Sequence, residues 1–155
     1  MRGVILKDNL KSKLELKIKK ARILIVGILN IIISLCLNFN EFLMGGPVKF
    51  KNIIVSIVYI LIWTAIILLA NWLKSKKLLK IFLGFWMLDL ILIVLMIIIS
   101  KLDMYLPLII PFILLCFGPM YGLDKLSNAI RIIISIFNFT FIYYLIKKKN
   151  MKQRN

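Results

Sequence analysis

Residues 78–100 read LLKIFLGFWMLDLILIVLMIIIS. Only two charges interrupt this run, Lys80 near its start and Asp89 in its middle. A helix rises 1.5 Å per residue, so about 20 such residues cross a hydrocarbon core of about 30 Å. A helix of a soluble domain would keep one polar face instead. The stretch therefore reads as a membrane span, and the rest of the chain repeats the pattern.

The 155 residues are 62% hydrophobic, and the apolar residues come in long blocks. Beside residues 78–100, block one covers 23–43 and block two 52–73. Block four covers 105–123 and block five 129–146. Gly45, Gly46 and Pro47 break the chain between the first two. Such blocks with short connections predict an all-α integral membrane protein, an antiparallel bundle of four to five transmembrane helices. The domain organisation follows: a basic cytoplasmic segment at 1–22, a transmembrane domain at 23–146 and a basic tail at 147–155. The first block is longer than a signal-peptide apolar core and no small-residue cleavage site follows it, so it reads as an uncleaved span.

Net charge is +16, a value that points to nucleic acid in a soluble chain. Here the charges cluster at the ends of apolar blocks: 2–22, 74–80 and 147–154. That placement reads as topology signal and as attraction to anionic lipid head groups at the cytoplasmic face, not as a nucleic-acid surface. Basic residues before block one put the N-terminus in the cytoplasm. Richness in Ile, Leu, Lys and Asn points to a bacterial chain, hence a multi-pass protein of the cell membrane.

Block four is the difficult one. It carries Pro107, Pro111, Gly118, Pro119 and Gly122, and the polar break D-K-L-S-N follows. Four crossings put the five basic residues of the tail on the side of the N-terminal segment, as the positive-inside rule favours. Block length favours five, and prolines are tolerated in spans whose neighbours cover the freed backbone. The charge count leans to four crossings, with block four as a broken or re-entrant segment. Trp72, Tyr143 and Tyr144 read as interfacial anchors in either case.

Asp89 lies about 13–16 Å from either end of its block, near the bilayer midplane. A lone ionised acid there is costly, so it should face the bundle interior and meet polar partners. Asn30, Thr64 and Asn138 lie at a matching depth if the tail is cytoplasmic, which gives a candidate intramembrane site of Asp89, Asn30, Thr64 and Asn138. In block one, Gly27, Asn30, Ser34, Asn38 and Glu41 step by three and four residues along one helix face. In block five, Asn128, Arg131, Ser135 and Asn138 do the same. Both faces should point inward, since membrane helices pack and hydrogen-bond through small and polar residues. Glu41 and Arg131, toward the outer ends of their helices, form a candidate ion pair.

Catalysis has little support. The chain has no histidine to activate a serine or cysteine. Neither Asp103 nor Asp124 sits at the depth of Asp89, as a paired-acid protease would need. Cys36 and Cys116 have no metal-ligand spacing, and no cofactor or metal is expected. The expectation is a non-enzymatic protein, accessory, regulatory or immunity-type, acting through another membrane protein or itself. The alternative is a small oligomeric transporter or channel using Asp89 as a proton or cation site, with the broken block four as its best support.

Overall fold

The computed structural model describes residues 2–102, 107–124 and 128–151, with side chains throughout except those of residues 2–10, 12, 124 and 128. Tyr105 and Leu106 of block four, Asp103, most of the polar break and tail residues 152–155 lie outside these. The described residues form helices α1 (Arg2–Leu43), α2 (Phe50–Trp72), α3 (Lys76–Leu102), α4 (Ile110–Phe117), α5 (Tyr121–Asp124) and α6 (Asn128–Met151). Turns of 3₁₀-helix, Pro107–Ile109 and Gly118–Met120, flank α4. Four helices are long and apolar enough to cross a membrane, within Lys13–Leu43, Phe50–Trp72, Lys76–Leu102 and Ala129–Met151. Block four is not among them: its described part is the shorter apolar helical segment Pro107–Leu123, in which 3₁₀ turns interrupt the α-helix.

The basic segment at 1–22 belongs to the first helix: α1 runs without a break from Arg2. Its Lys, Leu, Ile and Glu residues are adequate helix formers and no proline interrupts them. Once the apolar part has formed a helix, adding a residue costs far less than starting one.

Contacts along the helices show how they run. Glu41 meets Lys49, Asn38 meets Asn52 and Asn30 meets Tyr59, so α1 and α2 are antiparallel. Lys76 meets Asn150 while Asp89 meets Ser135, so α3 and α6 are antiparallel. Lys149 Nζ also donates to the Asn71 carbonyl at the end of α2. The α2–α3 turn, the end of α6 and the Lys17–Leu24 part of α1 thus share one end of the bundle, the basic end. Trp72, Tyr143 and Tyr144 are exposed there, as interfacial anchors would be.

Both short turns end in the same helix-closing pattern. At the end of α1, the Gly46 N–H bonds to the Glu41 carbonyl (3.1 Å) and Gly45 takes φ +59°. At the end of α2, Ser75 N–H bonds to the Ala70 carbonyl (3.1 Å) and Lys74 N–H to that of Asn71 (2.9 Å). The left-handed position there is filled by Lys74, at φ +51°. A side chain in that conformation costs about 1–2 kcal/mol, partly offset by the greater chain entropy of glycine. Lys74→Gly is expected to stabilise the fold by about 0.5–1 kcal/mol. Thermal unfolding in detergent, followed by circular dichroism, should show a midpoint about 2 °C higher; a lower midpoint would contradict the assignment.

The interior divides into two halves. Toward the basic end the core is apolar and aromatic: Tyr59, Trp63 and Ile67 of α2, Phe82 and Trp86 of α3, and Ile142 of α6. The Trp63 ring stacks on Phe85 at 4.9 Å and meets Phe82 and Trp86 edge-on, geometries that aromatic quadrupoles favour. In the other half the buried side chains are largely polar, and the broken segment inserts there. The outer surface carries large aliphatic residues such as Leu61, Val94 and Ile133. Apolar outside with polar inside suits a lipid environment, where polar groups must find partners within the protein.

Candidate functional site

The two polar faces read from the sequence are buried. Gly27, Asn30, Ser34, Asn38 and Glu41 all point inward from α1. Arg131, Ser135 and Asn138 do so from α6, while the side chain of Asn128 lies outside the described set. Asp89, on α3, is 1% exposed.

Asp89 has two neighbours on α6. The Ser135 hydroxyl approaches its Oδ2, and Arg131 Nε lies 4.0 Å from its Oδ1. The same hydroxyl is 2.9 Å from the Arg131 carbonyl, so its single proton serves one acceptor at a time. The guanidinium lies over the Phe117 ring, 3.0 Å from its centre, an arrangement that favours a cation on the ring face. One buried acid, one buried base and one aromatic ring thus tie α3, α6 and α4 together. The charges compensate each other, which a lone acid could not do in hydrocarbon.

The matching-depth residues do not form a ring of mutual hydrogen bonds. Asn30 donates to the Tyr59 carbonyl of α2 (3.1 Å). Thr64 donates to Ile60 (3.0 Å) and Asn138 to Ile134 (3.0 Å), both carbonyls of their own helices. Glu41 and Arg131 pair with other residues. Glu41 takes Lys49 (3.0 Å) and Lys51 (3.1 Å), one short turn away in the chain, and Arg131 takes Asp89. Depth alone could not foresee this, because α6 packs along α3 while the polar face of α1 meets α2 and the broken segment.

That meeting is a second polar centre. Pro119 has no N–H to continue the α-helical hydrogen bonds, so the helix tightens to a 3₁₀ turn after Phe117. Asn38 Nδ2 donates to the carbonyls of Gly118 (3.1 Å) and Pro119 (3.2 Å). Its Oδ1 accepts from Asn52 Nδ2 (2.9 Å), and Asn52 Oδ1 accepts from the Lys49 N–H at the start of α2 (2.9 Å). Ser56 Oγ donates to the Pro119 carbonyl and accepts from the Gly122 N–H, both at 3.1 Å. In an unbroken helix that N–H would bond to the Gly118 carbonyl. The Tyr121 hydroxyl then donates to the Gly46 carbonyl in the α1–α2 loop. Side chains of α1 and α2 thus take up backbone groups that the change from α-helix to a 3₁₀ turn releases.

Asn52, Ser56 and Tyr121 are the residues of this centre that sequence reading missed. Asn52, Ser56, Tyr59 and Trp63 step by four, three and four along α2, and all four are buried. That stripe was available, but Asn52 was read only as the start of an apolar block. Asn38→Ala should cost about 1–3 kcal/mol, because it leaves the Asn52 amide without its described acceptor and removes one of two donors to each of the Gly118 and Pro119 carbonyls. Chemical unfolding in detergent measures it; a loss under 0.5 kcal/mol would mean that the centre contributes little.

Among the described residues no group of His, Cys, Asp or Glu is arranged to hold a metal. Cys116 is buried and Cys36 exposed, and neither is in a disulfide. Comparison with known proteins gives no family model, no curated protein and no solved structure that matches the chain.

Proposed function

We propose that this is a multi-pass protein of a bacterial cytoplasmic membrane, with its basic end and both termini in the cytoplasm. It acts without catalysis, as an accessory, regulatory or immunity-type protein, through another membrane protein or a second copy of itself. The observation that carries this reading is the engagement of Asp89, Arg131, Asn38 and Ser56 with partners inside the fold. Asp89 has Arg131 and Ser135, and Asn38 and Ser56 cap the broken backbone. A transport site needs groups that can bind and release an ion, whereas these are engaged in holding helices together.

The test is reconstitution of the purified chain in vesicles that carry a pH-sensitive dye and an imposed potential. No protein-dependent flux of protons or alkali cations is expected. Flux that Asp89→Asn abolishes would overturn the proposal in favour of a transporter. A reporter fused after Asn155 tests the topology separately, and it should be active only in the cytoplasm.

A further inference from the structure

We propose that the basic end carries a discrete binding site for a phospholipid with two phosphate groups. The inference rests on this end lying at a membrane surface and not on the role of the protein there. Two adjoining clefts meet at Lys77 and Ile81 of α3. The larger, about 580 Å³, is rimmed by Lys76, Lys80 and Asn150. The smaller, about 270 Å³, is rimmed by Lys17 and Lys20 of α1. Lys17, Lys20, Ala21 and Leu24 step by three, one and three residues, so they share one face of α1, turned toward α3.

Three features separate this from an ordinary solvated charge run. First, the lysines come from positions far apart in the chain, and the fold brings them to shared clefts. Lys76 Nζ donates to Asn150 Oδ1 (2.8 Å) and Lys149 Nζ to the Asn71 carbonyl (3.1 Å), which fixes the end of α6 against the α2–α3 turn. Second, among the described residues no carboxylate forms an ion pair with Lys17, Lys20, Lys77 or Lys80. Glu15 sits two residues from Lys17, a spacing that does not place two side chains together on a helix. Lysines gathered in this way repel one another until an anion joins them. Third, the smaller cleft has an apolar floor of Ala21, Leu24 and Leu78 beneath its lysines. Charge above and hydrocarbon below match a lipid and not a free anion. Basic pockets between membrane helices at a cytoplasmic surface are a known setting for phosphate-bearing lipid heads. Two clefts, each with lysines of its own and sharing Lys77, fit one phosphate apiece.

The experiment is native mass spectrometry of the full chain in detergent. The probes are cardiolipin, with two phosphates, phosphatidylglycerol, with one, and zwitterionic phosphatidylethanolamine, in equal amounts. One cardiolipin per chain should be retained in preference to the others. Lys77→Gln should lower that retention about fivefold, and Lys17→Gln with Lys20→Gln about 25-fold. Lys13→Gln with Lys19→Gln removes the same charge from the same helix outside the clefts, and should change retention less than twofold. Cardiolipin held no better than phosphatidylglycerol would overturn the proposal, and so would a control pair falling as far as the cleft pair. The ranking of lipids on the unaltered chain stands without any variant. Failure of the cytoplasmic reporter would instead fault the topology.

Discussion

Arg131→Met should destabilise the fold by about 3–5 kcal/mol, among the largest losses of any single substitution in this chain. The change keeps most of the apolar stem of the side chain and removes its charged head. Asp89 then stays buried, 1% exposed, without its described counter-charge. The Ser135 hydroxyl can stabilise the carboxylate only in part, because it also lies beside the Arg131 carbonyl. The guanidinium's place over Phe117 empties as well, loosening α4 against α6. Unfolding by denaturant in mixed micelles should show the loss directly, and the thermal midpoint should fall by about 10 °C. The double variant Asp89→Leu with Arg131→Met should recover to within about 1 kcal/mol of the unaltered chain, since replacing a whole buried pair with apolar groups removes both desolvation costs. That recovery separates a charge pair from two independent packing roles, which would give additive losses. If Arg131→Met unfolds like the unaltered chain, the pair does not hold the bundle.

What was legible in the sequence, and what was not, follows from the range of each signal. Blocks of apolar residues are a local signal, and all but block four became a long helix. Helix faces are also local. The spacing of Gly27, Asn30, Ser34, Asn38 and Glu41 anticipated a buried stripe, and all five residues are buried. The broken character of block four was readable because proline and glycine act on their own backbone. Partners are a different matter. Depth says that Asp89, Asn30, Thr64 and Asn138 share a level, but not which helices adjoin at that level. Thr64 bonds back to its own helix, and Asn30 reaches a backbone carbonyl that no polar-residue count would single out. The same gap explains why Glu41 and Arg131 looked like a pair. Each needed an opposite charge: the α1–α2 turn supplied Lys49 and Lys51 to Glu41, and the packing of α6 on α3 supplied Asp89 to Arg131.

The second polar centre was hidden for a related reason. Its acceptors are main-chain carbonyls of Gly118 and Pro119, which every residue type carries and no composition reveals. The turn leaves them open to side chains, and Asn38 of α1 and Ser56 of α2 reach them there, beside the Tyr121 N–H that also meets Gly118. The broken segment therefore has two anchors of different kinds. At α4, Phe117 supports the Arg131 cation; at the break, Asn38 and Ser56 hold the backbone itself. The two centres depend on each other, because α4 can reach α6 only if the break is held where α1 and α2 place it.

The close approach at Gly122 tests that dependence. A Cβ at this position would fall on the backbone carbonyl of Asn52 and on the Ile53 nitrogen. These are main-chain atoms of α2, which cannot rotate aside as a side-chain tip can. Gly122→Ala should therefore push α5 away from α2 and break the bond from the Gly122 N–H to Ser56. The expected cost is about 3 kcal/mol, the upper end for overpacking, because the collision joins a lost hydrogen bond. Gly84→Ala is the matched control. It lies within α3 with no atom near the new methyl, so helix propensity alone favours it by up to about 1 kcal/mol. Amide hydrogen exchange locates the damage. Gly122→Ala should speed exchange at Tyr121–Leu123 and leave the aromatic half around Trp63 and Trp86 protected. Uniform loss of protection would mean that the bundle unfolds as one unit. A stability equal to that of Gly84→Ala would mean that the broken segment does not press against α2, and the account of how its carbonyls are satisfied would fail with it.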